Sequence, residues 1–146
     1  MTEVLIGLGA LIVSVGIQVA AVVVMLQRLH KISARGRLGR SGWNDFLTLS
    51  VVMVVLFLGH LVQIGIWAAL FVYVGEFNDF TTAFYHSTVN FASLGYGDIV
   101  MSEKWRLLGA LEAGNGVLMF GLSAAAMFAV LTWLIKQYDN EKGPSG

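Results

Sequence analysis

The sequence predicts an all-α membrane protein: three transmembrane helices and, between the second and third, a re-entrant helix followed by a glycine-bearing strand. Three observations carry this. Of 146 residues, 57% are hydrophobic and 12% charged, more apolar surface than a soluble domain of this size can bury. Apolar stretches at roughly 4–26, 46–74 and 107–135 each exceed the ~20 residues that cross a hydrocarbon core. The segment between the last two is too polar for a further span, yet it holds a helix-length run, FTTAFYHSTVNFA, that leads straight into Ser93-Leu94-Gly95-Tyr96-Gly97-Asp98.

Residues 1–27 form the first span. A secretory leader is disfavoured, because no basic n-region precedes the apolar run, the run exceeds the usual h-region, and positive residues follow it. The link at 28–45 carries Arg28, Lys31, Arg35, Arg37 and Arg40, which puts it in the cytoplasm and the N-terminus outside by the positive-inside rule. It reads either as a topology signal in a Gly-interrupted loop or as a segment that senses anionic lipid. A voltage sensor is disfavoured, since the link's arginines are not spaced every third residue in an apolar helix.

Residues 46–136 form the second unit, with an outer helix at 46–74, a short helix at 80–92, the glycine-bearing segment at 93–98 and an inner helix at 103–136. A tail at 137–146 follows, inside the cell. Alternation places 75–106 outside, where Glu76, Asp79, Asp98 and Glu103 outnumber Lys104 and Arg106. Asn78 or Asp79 is positioned to cap the short helix. Trp43, Trp133 and Tyr138 near the inner face, and Tyr73 and Trp105 near the outer, fit interfacial aromatic belts. Non-helical backbone at membrane depth is tolerated only when buried in protein or lining a water-filled path, so 80–98 is a pore candidate. Net charge is zero and Cys is absent. This leaves no support for nucleic-acid binding and excludes disulfides, thiolate metal sites and cysteine nucleophiles.

At these residues the chain resembles the pore-loop potassium channels, whose filter usually reads Thr-Val-Gly-Tyr-Gly-Asp. The resemblance covers about 46–135 and includes Ala83, Phe84 and Tyr85 at the start of the short helix and Trp105 after the filter. The architecture it implies is the two-span bacterial-type pore with an added N-terminal span, assembled as a homotetramer because a ring of carbonyls needs four strands. By the same resemblance, potassium is coordinated by the carbonyls of Ser93, Leu94, Gly95 and Tyr96, with the Ser93 hydroxyl forming the innermost site. Gly95 and Gly97 supply left-handed backbone. Potassium is the permeant ion, and no cofactor is expected. Ser93 and Leu94 replace Thr and Val, and Met101 stands where the family tends to place Pro, so filter rigidity and the outer turret depart from the family pattern.

The resemblance also points to a cuff around the filter, with Tyr85 bonding Asp98 and His86 approaching Tyr96. Protonation of His86 between about pH 5 and 7 would then alter the outer filter; the alternative is a packed, neutral ring. Gly116 falls within a residue of the family's gating hinge, although small residues equally serve close packing. Leu118, Gly121, Ala125 and Ala129 match the cavity lining. At 1.5 Å per residue, Gln63 and Asn115 lie at similar depth, within reach of one another. Glu112 would face Asn90 behind the pore helix, and Gln18 and His60 share a level near the midplane. Such polar groups either couple the filter to the helices or act as interhelical glue.

The function expected is therefore passive potassium conduction across the cell membrane, by a multi-pass subunit whose partners are its own copies, membrane lipid and the ion. The alternatives are a weakly selective cation channel, motivated by Ser93 and Leu94, and a non-conducting regulatory subunit. An enzyme is disfavoured because His60, His86, Asp98 and Glu112 lie on different elements without HExxH or GxSxG spacing.

Overall fold

The structure, a computed structural model, describes residues 2–33 and 42–141. They form four helices: α1 Thr2–Ser33, α2 Gly42–Tyr73, α3 Phe80–Phe91 and α4 Arg106–Glu141. Three stretches, Thr2–Lys31, Gly42–Tyr73 and Arg106–Tyr138, are long and apolar enough to cross a membrane. No described residue is in a β-strand, so the segment expected as a strand belongs to no regular element. A strand needs a neighbour to complete its ladder.

The helices outrun the apolar stretches that announce them. α1 continues six residues past the expected end at 27, so Arg28 and Lys31 are helical, and α2 begins at Gly42, ahead of residue 46. Gln, Arg, Leu and Lys are good helix formers, and a helix already nucleated extends through them at little cost. Arg35, Arg37 and Arg40 lie outside the described residues. α4 starts at Arg106, three residues later than expected, because Trp105 and Arg106 donate their backbone N–H to the Ser102 carbonyl in a preceding turn.

α1 buries one narrow seam, Gly7, Ser14, Gln18, Met25 and Leu29, at alternating spacings of seven and four residues. That spacing keeps a single stripe of a helix facing its neighbours. One apolar cluster joins α1, α2 and α4 at the end holding Met25, Leu29, Val52, Leu56, Val130 and Leu134. A second surrounds α3 at the opposite end, built on Trp67, Phe71, Ala83, Phe91, Leu108 and Met119. α3 is therefore wedged between α2 and α4, and a polar layer containing Gln18, His60 and Gln63 separates the clusters. Large apolar side chains such as Val51, Phe57, Leu58 and Phe128 point outward, as suits helices whose solvent is lipid.

Candidate functional site

The turns that hold 74–106 are made by local chemistry. α2 closes with Gly75 N–H donating to the Val72 carbonyl and Glu76 N–H to the Phe71 carbonyl, while Gly75 sits at φ 77°. This is a Schellman motif with glycine in the left-handed position. α3 opens on Asp79, in extended backbone, whose carboxylate accepts from Thr82 N–H at 2.8 Å. Of the two expected caps, Asp79 is therefore the one used. That backbone bond holds the Asp79 carboxyl below its ordinary range.

α3 ends in the same motif as α2. Ser93 N–H donates to the Asn90 carbonyl at 2.8 Å and Leu94 N–H to the Val89 carbonyl at 2.9 Å. Here the left-handed residue is Ser93, at φ 56°, the only non-glycine described with positive φ. A Cβ in that region costs roughly 1–2 kcal/mol, and the two closing bonds oppose this cost. Gly95 at 61° and Gly97 at 75° continue the series, whereas Leu94 and Tyr96 have negative φ. Handedness thus alternates residue by residue from 93 to 97. In a β-strand successive carbonyls point to opposite sides; alternating handedness turns them toward the same side, as it does for the N–H groups of a nest. The side chains of this row of residues are uncovered, Leu94 at 52% and Tyr96 at 65% exposure.

Two side-chain clamps hold the row. Tyr85 Oη donates to Asp98 Oδ2 at 2.6 Å. This bond lowers the Asp98 carboxyl below its ordinary range and raises the Tyr85 phenol above its own. Glu76 accepts from both the backbone N–H and the hydroxyl of Ser102, each at 2.6 Å, tying the chain after residue 98 to the turn that closes α2. Met101 packs with the cluster around α3, and a Cβ on Gly109 would come 2.7 Å from its sulfur. The chain at Met101 and Ser102 is thus held against its neighbours.

His86 takes a packed position, as in the second of its two expected readings. Its Nδ1 lies 3.3 Å from the Ile99 carbonyl, and its ring packs on Phe71 and Phe77 with centroids 5.7 and 5.0 Å away. Burial lowers its pKa, opposed by the Ile99 carbonyl and by the charges of Glu76 and Asp98.

Behind the row, α4 presses on the end of α3. Gly116 has no room for a side chain, because a Cβ there would overlap the Phe91 carbonyl; α4 runs unbroken through this point. Asn90 Nδ2 donates to Glu112 Oε2 at 2.8 Å and to the Gly109 carbonyl at 2.6 Å, so Glu112 and Asn90 meet. Gln63 does not meet Asn115, whose two side-chain polar atoms are buried with no partner among the described residues. Gln63 Nε2 instead donates to Gln18 Oε1 at 2.7 Å, and Gln18 Nε2 donates to Ser123 Oγ at 2.8 Å. Ser123 Oγ lies 3.0 Å from His60 Nε2. Having accepted from Gln18, the hydroxyl has its own proton to give to His60. Gln18 thus reaches His60 through Ser123 and ties α1 to both α2 and α4. Ser123 and Ser102 stand outside the residues singled out in the sequence, where Glu76 counted only as one of the outer acidic residues. The signal available for Ser123 was a hydroxyl in an apolar span at Gln18's depth.

The opposite face of α4 is uncovered: Leu118, Gly121, Ala125 and Ala129 are all exposed. Among the described residues no group of His, Asp and Glu is arranged to hold a metal ion through side chains. The sequence profile of a family described as "Ion channel" matches residues 47–132, more than half of the chain. No curated protein and no solved structure matches significantly.

Proposed function

The chain belongs to the ion-channel family, and from that premise we propose that it is one subunit of a homotetrameric, potassium-selective pore in the cell membrane, with residues 93–98 as the filter. The observation that carries this reading is the alternation of left-handed backbone at Ser93, Gly95 and Gly97 with negative φ at Leu94 and Tyr96. It gathers unpaired carbonyls on one side of a segment, which is what a dehydrating cation needs. One chain supplies one such row, and four around an axis complete the coordination shell.

The uncovered surfaces agree with that assembly. Leu94 and Tyr96 have no cover within the chain, and neighbouring copies would provide it. The open face of α4 with Leu118, Gly121 and Ala125 would then line an apolar cavity below the filter. α3 would aim its C-terminal end at this cavity, where helix-end carbonyls favour a cation without any formal charge. The basic residues around the α1–α2 link orient the filter outward.

The test is flux through purified protein in liposomes. Potassium flux blocked by barium is expected, with a reversal potential in mixed potassium and sodium that follows potassium. A permeability ratio near one would assign a weakly selective cation channel, and absent flux a non-conducting subunit. Gly95→Ala places a Cβ at φ 61° and is expected to abolish flux while the helices remain folded.

A further inference from the structure

Away from the filter, α1 and α2 enclose a groove of about 580 Å³ at the end of the bundle near their connection. Its floor is Met25 and Val52, both buried. Its walls are Ala21 and Val24 on α1 and Val51 and Val55 on α2. Val24 and Val51 are 54% and 61% exposed, so the groove opens sideways between the two helices. One charged residue lines it: Arg28, exposed, one turn beyond Val24 on the same face of α1.

We propose that this groove binds an anionic phospholipid of the cytoplasmic leaflet, with an acyl chain along the apolar walls and the phosphate at Arg28. Length, charge and side of the membrane agree on this occupant. The groove extends from Arg28 to Ala20, about 12 Å at 1.5 Å per residue, close to the ~15 Å of one leaflet's hydrocarbon. The cation stands at the end of the groove where a headgroup emerges. Lys31 follows on the next turn, also exposed, and the link continues with Arg35, Arg37 and Arg40. Asp45, the one acidic residue in the first turn of α2, has an interaction of its own. The basic residues put this end at the cytoplasmic face, where anionic lipid attracts cationic side chains. The site involves α1, which lies outside the region shared with the ion-channel family, and it does not depend on which ion the filter passes.

The full chain, purified in detergent, is titrated with phosphatidylglycerol or phosphatidylcholine, and retained lipid is read by native mass spectrometry. The wild type is expected to retain phosphatidylglycerol in preference. Arg28→Gln should reduce that preference about fivefold, one cation's share of the attraction, while phosphatidylcholine retention stays unchanged. Ala21→Trp fills the groove and should lower retention of both lipids. A wild-type preference in Arg28→Gln would overturn the proposal, and this exposed substitution leaves the core intact. Unchanged lipid retention in Ala21→Trp together with an altered oligomeric state would assign the groove to a second copy of the chain, and would overturn it equally.

Discussion

Gly116 of α4 lies so close to Phe91, the last residue of α3, that a Cβ on the glycine would overlap the Phe91 carbonyl oxygen. The contact joins the end of α3 to α4 well inside its length. Its partner is backbone, which cannot swing aside as a side chain can. Gly114 and Gly121, by contrast, have open space where a Cβ would go. Gly116→Ala is therefore expected to destabilise the protein by at least the ~1–3 kcal/mol typical of overpacking. Gly114→Ala and Gly121→Ala should be neutral or stabilising by ~0.5–1 kcal/mol, because alanine is the better helix former. Thermal unfolding of the three variants in one detergent checks this. Equal melting points would return Gly116 to a hinge.

Tyr85 of α3 and Asp98 are joined at the end of the segment proposed as the filter. Tyr85→Phe removes the donor and leaves the ring, so the fold should persist while the last carbonyls of the row lose their anchor. Shorter open periods in single-channel records are the expected outcome, with barium still blocking. Because the bond lowers the Asp98 carboxyl below its ordinary value near 3.8, acid inactivation should also begin at a higher pH in the variant than in the wild type.

His86 carries the pH dependence, and the sign follows from burial. Its pKa in the fold is below the ordinary 6.5, so the unfolded chain takes up a proton more readily. Stability from the neutral ring is complete above pH 6.5 and is lost as pH falls through that value toward the depressed one. Melting temperature measured from pH 7.5 to 5 should fall more steeply for the wild type than for His86→Gln. Parallel curves would mean that the ring is indifferent to its charge.

Gln18 bridges three helices, accepting from Gln63 and donating to Ser123. Gly59 makes room for it, since a Cβ there would come 2.9 Å from the Gln18 amide oxygen. Gln18→Leu should cost about 1 kcal/mol, two intramembrane bonds at ~0.6 each. Gly59→Ala should cost a similar amount by displacing the amide. The double variant should show less than the sum, because both changes act on one network; additive losses in thermal unfolding would separate Gly59 from it.

How far the chain can be read without its fold differs by element. Spans two and three were legible because apolar length alone specifies a membrane helix, and Gly95 and Gly97 announced left-handed backbone because glycine alone adopts it freely. Asn90 and Glu112 were legible as neighbours from depth along their helices. Ser93 was not legible as left-handed, for a serine normally avoids that region; the position follows from where α3 stops and its closing bonds form. Glu76 and Ser102 were missed because they lie 26 residues apart and no local pattern links them.

The sequence by itself determined that three apolar stretches cross a membrane, that a short capped helix and a glycine-bearing segment stand between two of them, and which family the middle of the chain resembles. Composition and local backbone preference suffice for those. Only the tertiary structure decided that Gln63 turns to Gln18 and away from Asn115, that His86 packs among Phe71, Phe77 and the Ile99 carbonyl, and that Gly116 serves close approach. Depth along a helix places a residue at a level in the membrane, but the rotation of that helix decides its partner. That rotation is set by packing against every neighbouring helix at once.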